Sequence, residues 1–223
     1  MPMFPKTLFN ERITIQIDSF FTEMKNYYRK RGWHWPTVSK RDGFWSNKDF
    51  VVQIKSKYND GAYKIVEYQL NNLPSYYKKP KSVNDLRAIS FSHIIVIQLP
   101  REYPANLNKV KLMARTPFYH PRISYGIIGK SNIRGICYVV KGELDRILND
   151  LPFFLLLKKD RVRPPRYYKG EDYGLNRDAM IWYQNNLEAI TTFLDKLWEE
   201  RHRKVGTQKI EEQKKNIVIL DDD

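Results

Sequence analysis

The sequence predicts an α+β fold, with a helix first, an antiparallel sheet in the middle and helices at the end. Three observations predict it. An amphipathic stretch opens the chain, β-forming runs separated by turn residues fill its centre, and two stretches of helical spacing occupy its second half. With 223 residues, 42% hydrophobic and 14% aromatic, the chain has the material for a well-cored domain.

The first helix is expected from Asn10 to about Arg31. Ile13, Ile17, Phe20, Phe21, Met24, Tyr27 and Tyr28 fall on one face, and Glu11, Arg12, Lys25, Arg29 and Lys30 on the other. Asn10 reads as its N-cap and Gly32 as its stop. Trp33, Trp35, Phe44 and Trp45 then belong to a turn-rich connector covering a core edge. Phe50 to Lys57 and Ala62 to Leu70 read as two strands around an Asp60-Gly61 hairpin turn. Residues Leu73 to Leu86 read as a polar loop. Ile89 to Leu99, with Ile94-Ile95-Val96-Ile97, is the most strand-like run and suits a central strand. Lys109 to Ala114 alternates as a half-exposed strand would. The expected sheet is therefore a four-stranded antiparallel meander with helices over one face.

Glu143 to Leu157 brings Leu144, Ile147, Leu148, Leu151, Phe154 and Leu155 to one helical face, with Pro152 a kink or restart. Leu175 to about Arg203 repeats the spacing through Ala179, Trp182, Tyr183, Asn186, Ile190, Phe193, Leu194 and Leu197. The expected organisation is a single domain over residues 1–200 and a charged tail over 201–223, extended or flexible and available for docking.

Composition narrows the chemistry. A single cysteine excludes an internal disulfide and a multi-cysteine zinc site, and it suits a reducing cytoplasm. No apolar run approaches the ~20 residues of a membrane span, and the first residues do not resemble a secretory signal. The four histidines show no metal-ligand spacing, and no phosphate- or dinucleotide-binding glycine motif is present, so no metal or cofactor is expected. A net charge of +14 calls for an acidic partner. Nucleic acid is one such partner, but no DNA- or RNA-binding motif supports it, and an acidic protein is preferred.

The lone Cys137 decides the functional reading. A free cysteine is ordinarily a small buried apolar group, so its neighbours must argue otherwise. Leu99-Pro100-Arg101-Glu102-Tyr103-Pro104 ends the third strand, Phe118-Tyr119-His120-Pro121 follows the fourth, and Gly135-Ile136-Cys137 comes next. A helix then starts near Leu175-Asn176-Arg177-Asp178-Ala179. This order resembles the ubiquitin-conjugating enzymes over roughly residues 8 to 198. In that family a Pro-x-x-Tyr-Pro turn, a His-Pro-Asn motif and a Gly-x-Ile-Cys-Leu segment follow one another. The resemblance implies the UBC-like fold and a transferase. Cys137 would carry a ubiquitin-like protein as a thioester, received from an activating enzyme and passed to an amine on an acceptor protein. It implies that His120 and Pro121 shape the loop, and that Arg122 stands where asparagine would support the loop or an oxyanion. Asp172, seven positions before Ala179, stands where many members have an acidic residue that orients the incoming lysine; a helix-capping aspartate is the alternative.

Three departures mark the chain as a divergent relative. His120 and Cys137 stand 17 positions apart, so Ser124 to Arg134 looks like an insertion. Arg122 replaces asparagine, and the stretch after Cys137 lacks the family's usual tryptophan. By resemblance these departures fit a divergent member such as those in prokaryotic ubiquitin-like operons, including antiviral defence systems, where the asparagine is often missing and the cysteine is kept. The alternative is a catalytically inactive relative that binds a ubiquitin-like protein or a scaffold partner, with Cys137 buried and inert.

Overall fold

The computed structural model describes residues 6–55, 63–124, 134–138, 140–158 and 176–218, with backbone alone at 6, 7 and 63 and from 204 on. The element order is helix α1 (Lys6–Lys30), strands β1 (Ser39–Arg41), β2 (Phe44–Ser46), β3 (Phe50–Lys55), β4 (Tyr63–Tyr76), β5 (Ile89–Pro100), β6 (Lys111–Ala114) and β7 (Arg134–Gly135), then helices α2 (Leu144–Leu155) and α3 (Arg177–Val218). All seven strands form one antiparallel sheet in sequence order.

This sheet overturns the expected UBC-like fold with its four-stranded meander. The four anticipated runs are present as β3 to β6, but the sheet continues at both edges. On one side the aromatic connector is itself a hairpin: β1 and β2 pair around Asp42-Gly43, where Gly43 takes a positive φ of 64° that a side chain would resist. Trp45 is 2% exposed and turns into the core, as expected for a residue covering a core edge, but from a strand. On the other side two-residue β7 pairs with β6. Strands of two or three residues are too short for alternation to register in the sequence. β4 also runs past Leu70 to Tyr76, through an irregularity between Asn71 and Ser75 where Asn72 has a φ of 59°.

Strand alternation sets the core. Along β4, Lys64, Val66, Tyr68 and Leu70 are buried, whereas Ile65, Glu67 and Gln69 are partly exposed; along β5, His93, Ile95, Ile97 and Leu99 share the buried side. α1 lies on that side, with Phe20 edge-on to Phe50 (5.6 Å) and Tyr68 (5.5 Å). α2 joins the same core through Leu144, Ile147, Leu148, Leu151, Phe154 and Leu155, all 0% exposed. It continues through Pro152 to Leu155 rather than restarting there.

Helix ends follow local chemistry. Gly32, with φ 67°, ends α1: its N–H donates to Arg29 O (3.1 Å) and Trp33 N–H to Tyr28 O (3.0 Å), the paired closure of a Schellman motif. At the other end Asn10 lies inside α1, not at its cap, and accepts from Lys64 Nζ. α3 extends to Val218, so residues 204–218 are helical where an extended or flexible tail was expected.

A buried polar cluster ties α1, β4 and α3 to the residue just before β3. Tyr28 Oη lies 2.9 Å from His202 Nε2 and donates to Asp49 Oδ2 (3.2 Å), while Asn72 Nδ2 donates to Asp49 Oδ1 (2.8 Å). His202 Nδ1 donates to Trp198 O (2.7 Å), and its ring stacks on Trp33 at 4.5 Å and 14°. Burial works to raise the Asp49 carboxyl, but nearby His202 and the Asn72 amide outweigh it and hold it below the usual carboxylate range.

Candidate functional site

Segments 120–124 and 134–138 build the site around Cys137. His120-Pro121-Arg122-Ile123 is a turn: Ile123 N–H donates to His120 O (3.2 Å), and proline at the second position presets its φ. The His120 ring stabilises the same turn, because Nδ1 lies 3.1 Å from the Arg122 N–H. A backbone N–H can only donate, so Nδ1 accepts. The proton therefore sits on Nε2, which donates to Phe154 O at 3.2 Å.

His120 is 0% exposed, and burial pushes its pKa down to about 3. It is a neutral strut between the turn and α2, not an acid or base.

After the turn the two segments pair. Ile123 and Ile136 form an antiparallel bridge, flanked by Cys137 N–H to Arg122 O (2.8 Å) and Ser124 N–H to Gly135 O (3.0 Å). Ile136 N–H also donates to Leu112 O (3.0 Å), fastening this ladder to β6. Ile123 and Ile136 are 0% and 9% exposed and face the core. By alternation, Arg122, Ser124 and Cys137 share the opposite face.

Cys137 is exposed because the chain turns at it. Tyr138 N–H donates back to Ile136 O at 3.1 Å, a three-residue turn with Cys137 at its apex. Tyr138 then anchors the segment on α2: its hydroxyl donates to Asp150 Oδ2 (3.1 Å), and its ring meets Phe154 edge-on at 5.6 Å. Arg146 Nε also donates to Asp150 Oδ2 (3.2 Å).

The half-buried Arg122 is the cation of this site. Burial lowers its guanidinium pKa, and electrostatic attraction to Cys137 counters that shift. Ser124 differs from both neighbours. It is 9% exposed, and its Oγ is buried with no hydrogen-bond partner among the described residues.

The structure therefore brings His120, Arg122 and Cys137 together; Asp172 lies outside the described residues, as does most of the expected insertion. The cap of α3 is Asn176, whose Oδ1 accepts from Ala179 N–H (3.0 Å). Ser124, Tyr138 and Asp150 were missed. Only the partial alternation of Arg122-Ile123-Ser124 hinted at Ser124, and nothing in the sequence joined Tyr138 to Asp150. Among the described residues no group of three or more His, Cys, Asp or Glu side chains is placed to hold a metal ion. None of their helices is long and apolar enough to cross a membrane. Comparison with protein-family models, curated proteins and solved structures gives no match.

Proposed function

We propose that the chain is a transferase of the ubiquitin-conjugating type, carrying a ubiquitin-like protein as a thioester on Cys137. The observation that supports this reading best is the placement of the only cysteine: exposed at the apex of a turn, braced from both sides and coupled to a guanidinium. A buried structural cysteine needs none of these features, whereas a nucleophile needs access and an electropositive setting.

The steps balance without a cofactor. The Cys137 thiolate attacks the thioester carbonyl presented by an activating enzyme, forming a tetrahedral oxyanion. Collapse expels the activating enzyme's sulfur with its electron pair, leaving the acyl group on Cys137. An acceptor amine attacks that carbonyl, loses a proton to a base, and Cys137 leaves as thiolate. Arg122 supplies positive charge near the oxyanion of both steps. Asp172 is proposed, on the resemblance alone, to orient the amine. The net charge of +14 suits encounter with acidic surfaces on the partners. The proposed setting is a cytoplasmic, prokaryotic ubiquitin-like pathway of the antiviral-defence kind.

The test is charging. With its activating enzyme, ATP and ubiquitin-like protein, the wild type forms an adduct that thiol reductant releases, and Cys137→Ala forms none. No adduct with the wild type, in a system where another conjugating enzyme is charged, overturns the proposal. The inactive binding-module reading carried the expectation of a buried Cys137, and the exposed thiol does not favour it.

A further inference from the structure

We propose that Ser124 is a second oxyanion donor of this site, acting beside Arg122; the inference rests on the acyl-transfer reading of Cys137. Two independent observations meet here. The first is register. The Ile123–Ile136 bridge, with Cys137 N–H on Arg122 O and Ser124 N–H on Gly135 O, puts the side chains of Arg122, Ser124 and Cys137 on one face. Arg122 stands directly across from Cys137, and Ser124 stands on the diagonal, a separation of about 7–8 Å between backbones that is shorter between side chains. In this proposal the carbonyl of an acyl group on Cys137 Sγ occupies that interval.

The second observation is that the Ser124 hydroxyl is buried and unpartnered among the described residues, with the residue 9% exposed. A buried hydroxyl without a partner is unfavourable, so among the described residues Ser124 is a donor whose bond is unmade. Serine's hydrogen rotates to suit its acceptor, so it can follow the carbonyl oxygen as it becomes tetrahedral and charged. A donor satisfied only when charge develops stabilises the transition state over the ground state. This gives the site a neutral donor of the kind asparagine supplies in the family's motif, moved two positions along from Arg122.

The test uses the full-length protein and N-acetylglycine phenyl thioester, which needs no activating enzyme. Acyl transfer to Cys137 is read by intact mass, with the Cys137 sulfur bonding to the carbonyl carbon and thiophenolate leaving. Alkylation of the same variants by iodoacetamide, which forms no oxyanion, gives the reference rate. For Ser124→Ala, acyl transfer relative to alkylation falls on the order of 10–100-fold. Ser124→Thr recovers most of the loss, and Ser124→Gly repeats the test should the alanine variant fail to fold. A ratio in Ser124→Ala or Ser124→Gly equal to the wild-type ratio overturns the Ser124 assignment and leaves the role of Cys137 standing. Failure of wild-type Cys137 to take the acyl group while it alkylates freely overturns the acyl-transfer reading and this inference with it.

Discussion

Cys137 and Arg122 are cross-strand partners. The N–H of one donates to the carbonyl of the other at 2.8 Å, and the guanidinium is electrostatically coupled to the thiol. Their proximity is thus fixed by backbone pairing and does not depend on a flexible side chain finding its mate.

Removing that cation slows alkylation of the Cys137 thiol. Arg122→Gln reduces the rate of Cys137 alkylation at neutral pH and low salt by roughly 2–5-fold, the range of a partly exposed pair worth up to about 1 kcal/mol. The difference narrows as salt is added, and Arg122→Lys keeps part of the rate. Equal rates for wild type and Arg122→Gln at low salt would show that the coupling does not act on the thiol.

The buried histidines set the acid limb of stability. Burial lowers His120 to about 3 and His93 to about 4, both below the ordinary value near 6.5. The unfolded chain therefore takes up protons at these positions before the folded chain does. Stability is full above about pH 6.5 and is lost as pH falls through the window down to those folded values, by about 1.4 kcal/mol per pH unit for each histidine. His120→Gln shows a slope between pH 6 and 4.5 shallower by about one such increment, measured from urea midpoints. An unchanged slope would mean that His120 is not held neutral.

The Tyr28–Asp49–His202 cluster clamps α3 onto α1 and the sheet. Asp49→Ala removes the acceptor of Tyr28 Oη and Asn72 Nδ2 and the partner lying 3.7 Å from His202. With all of these groups buried or nearly so, the loss is about 2–4 kcal/mol. A double-mutant cycle with His202→Ala returns a coupling above about 0.5 kcal/mol. Additive losses would place the two residues in separate networks.

Tyr138 braces the segment that follows the cysteine. Tyr138→Phe loses the bond to Asp150, but that carboxylate retains Arg146, so the fall in stability is only about 0.5–1.5 kcal/mol in chemical denaturation. A loss of several kcal/mol would assign Tyr138 a role in the core instead.

The long elements were legible where their pattern is local. Heptad-like spacing from Ile13 to Tyr28 and from Leu144 to Leu155 marks two helices, and the Ile94–Ile97 run marks the central strand, because each period is completed within a few residues. Gly32 was legible as a stop because only glycine adopts its φ of 67° without strain. The hairpin of β1 and β2 was not, since three-residue strands complete no period and Trp33, Trp35, Phe44 and Trp45 carry a burial signal without a direction. Asn10 was misplaced as a cap because a good capping residue also serves inside a helix when its side chain finds Lys64.

Of the candidate site, the sequence by itself determined the inventory: one cysteine, a His-Pro turn before it, and an arginine two residues after that histidine. It also determined the turn, because proline at 121 and histidine at 120 act on their own neighbours. Only the tertiary structure decided that Arg122 and Ser124 share a face with Cys137. That placement depends on the register between segments more than ten residues apart, and a slip of one residue in either segment would turn that segment's members of the trio toward the core. The neutrality of His120 was likewise decided by the tertiary structure: it follows from burial beneath Phe154 and Tyr183, partners supplied by two helices remote in sequence.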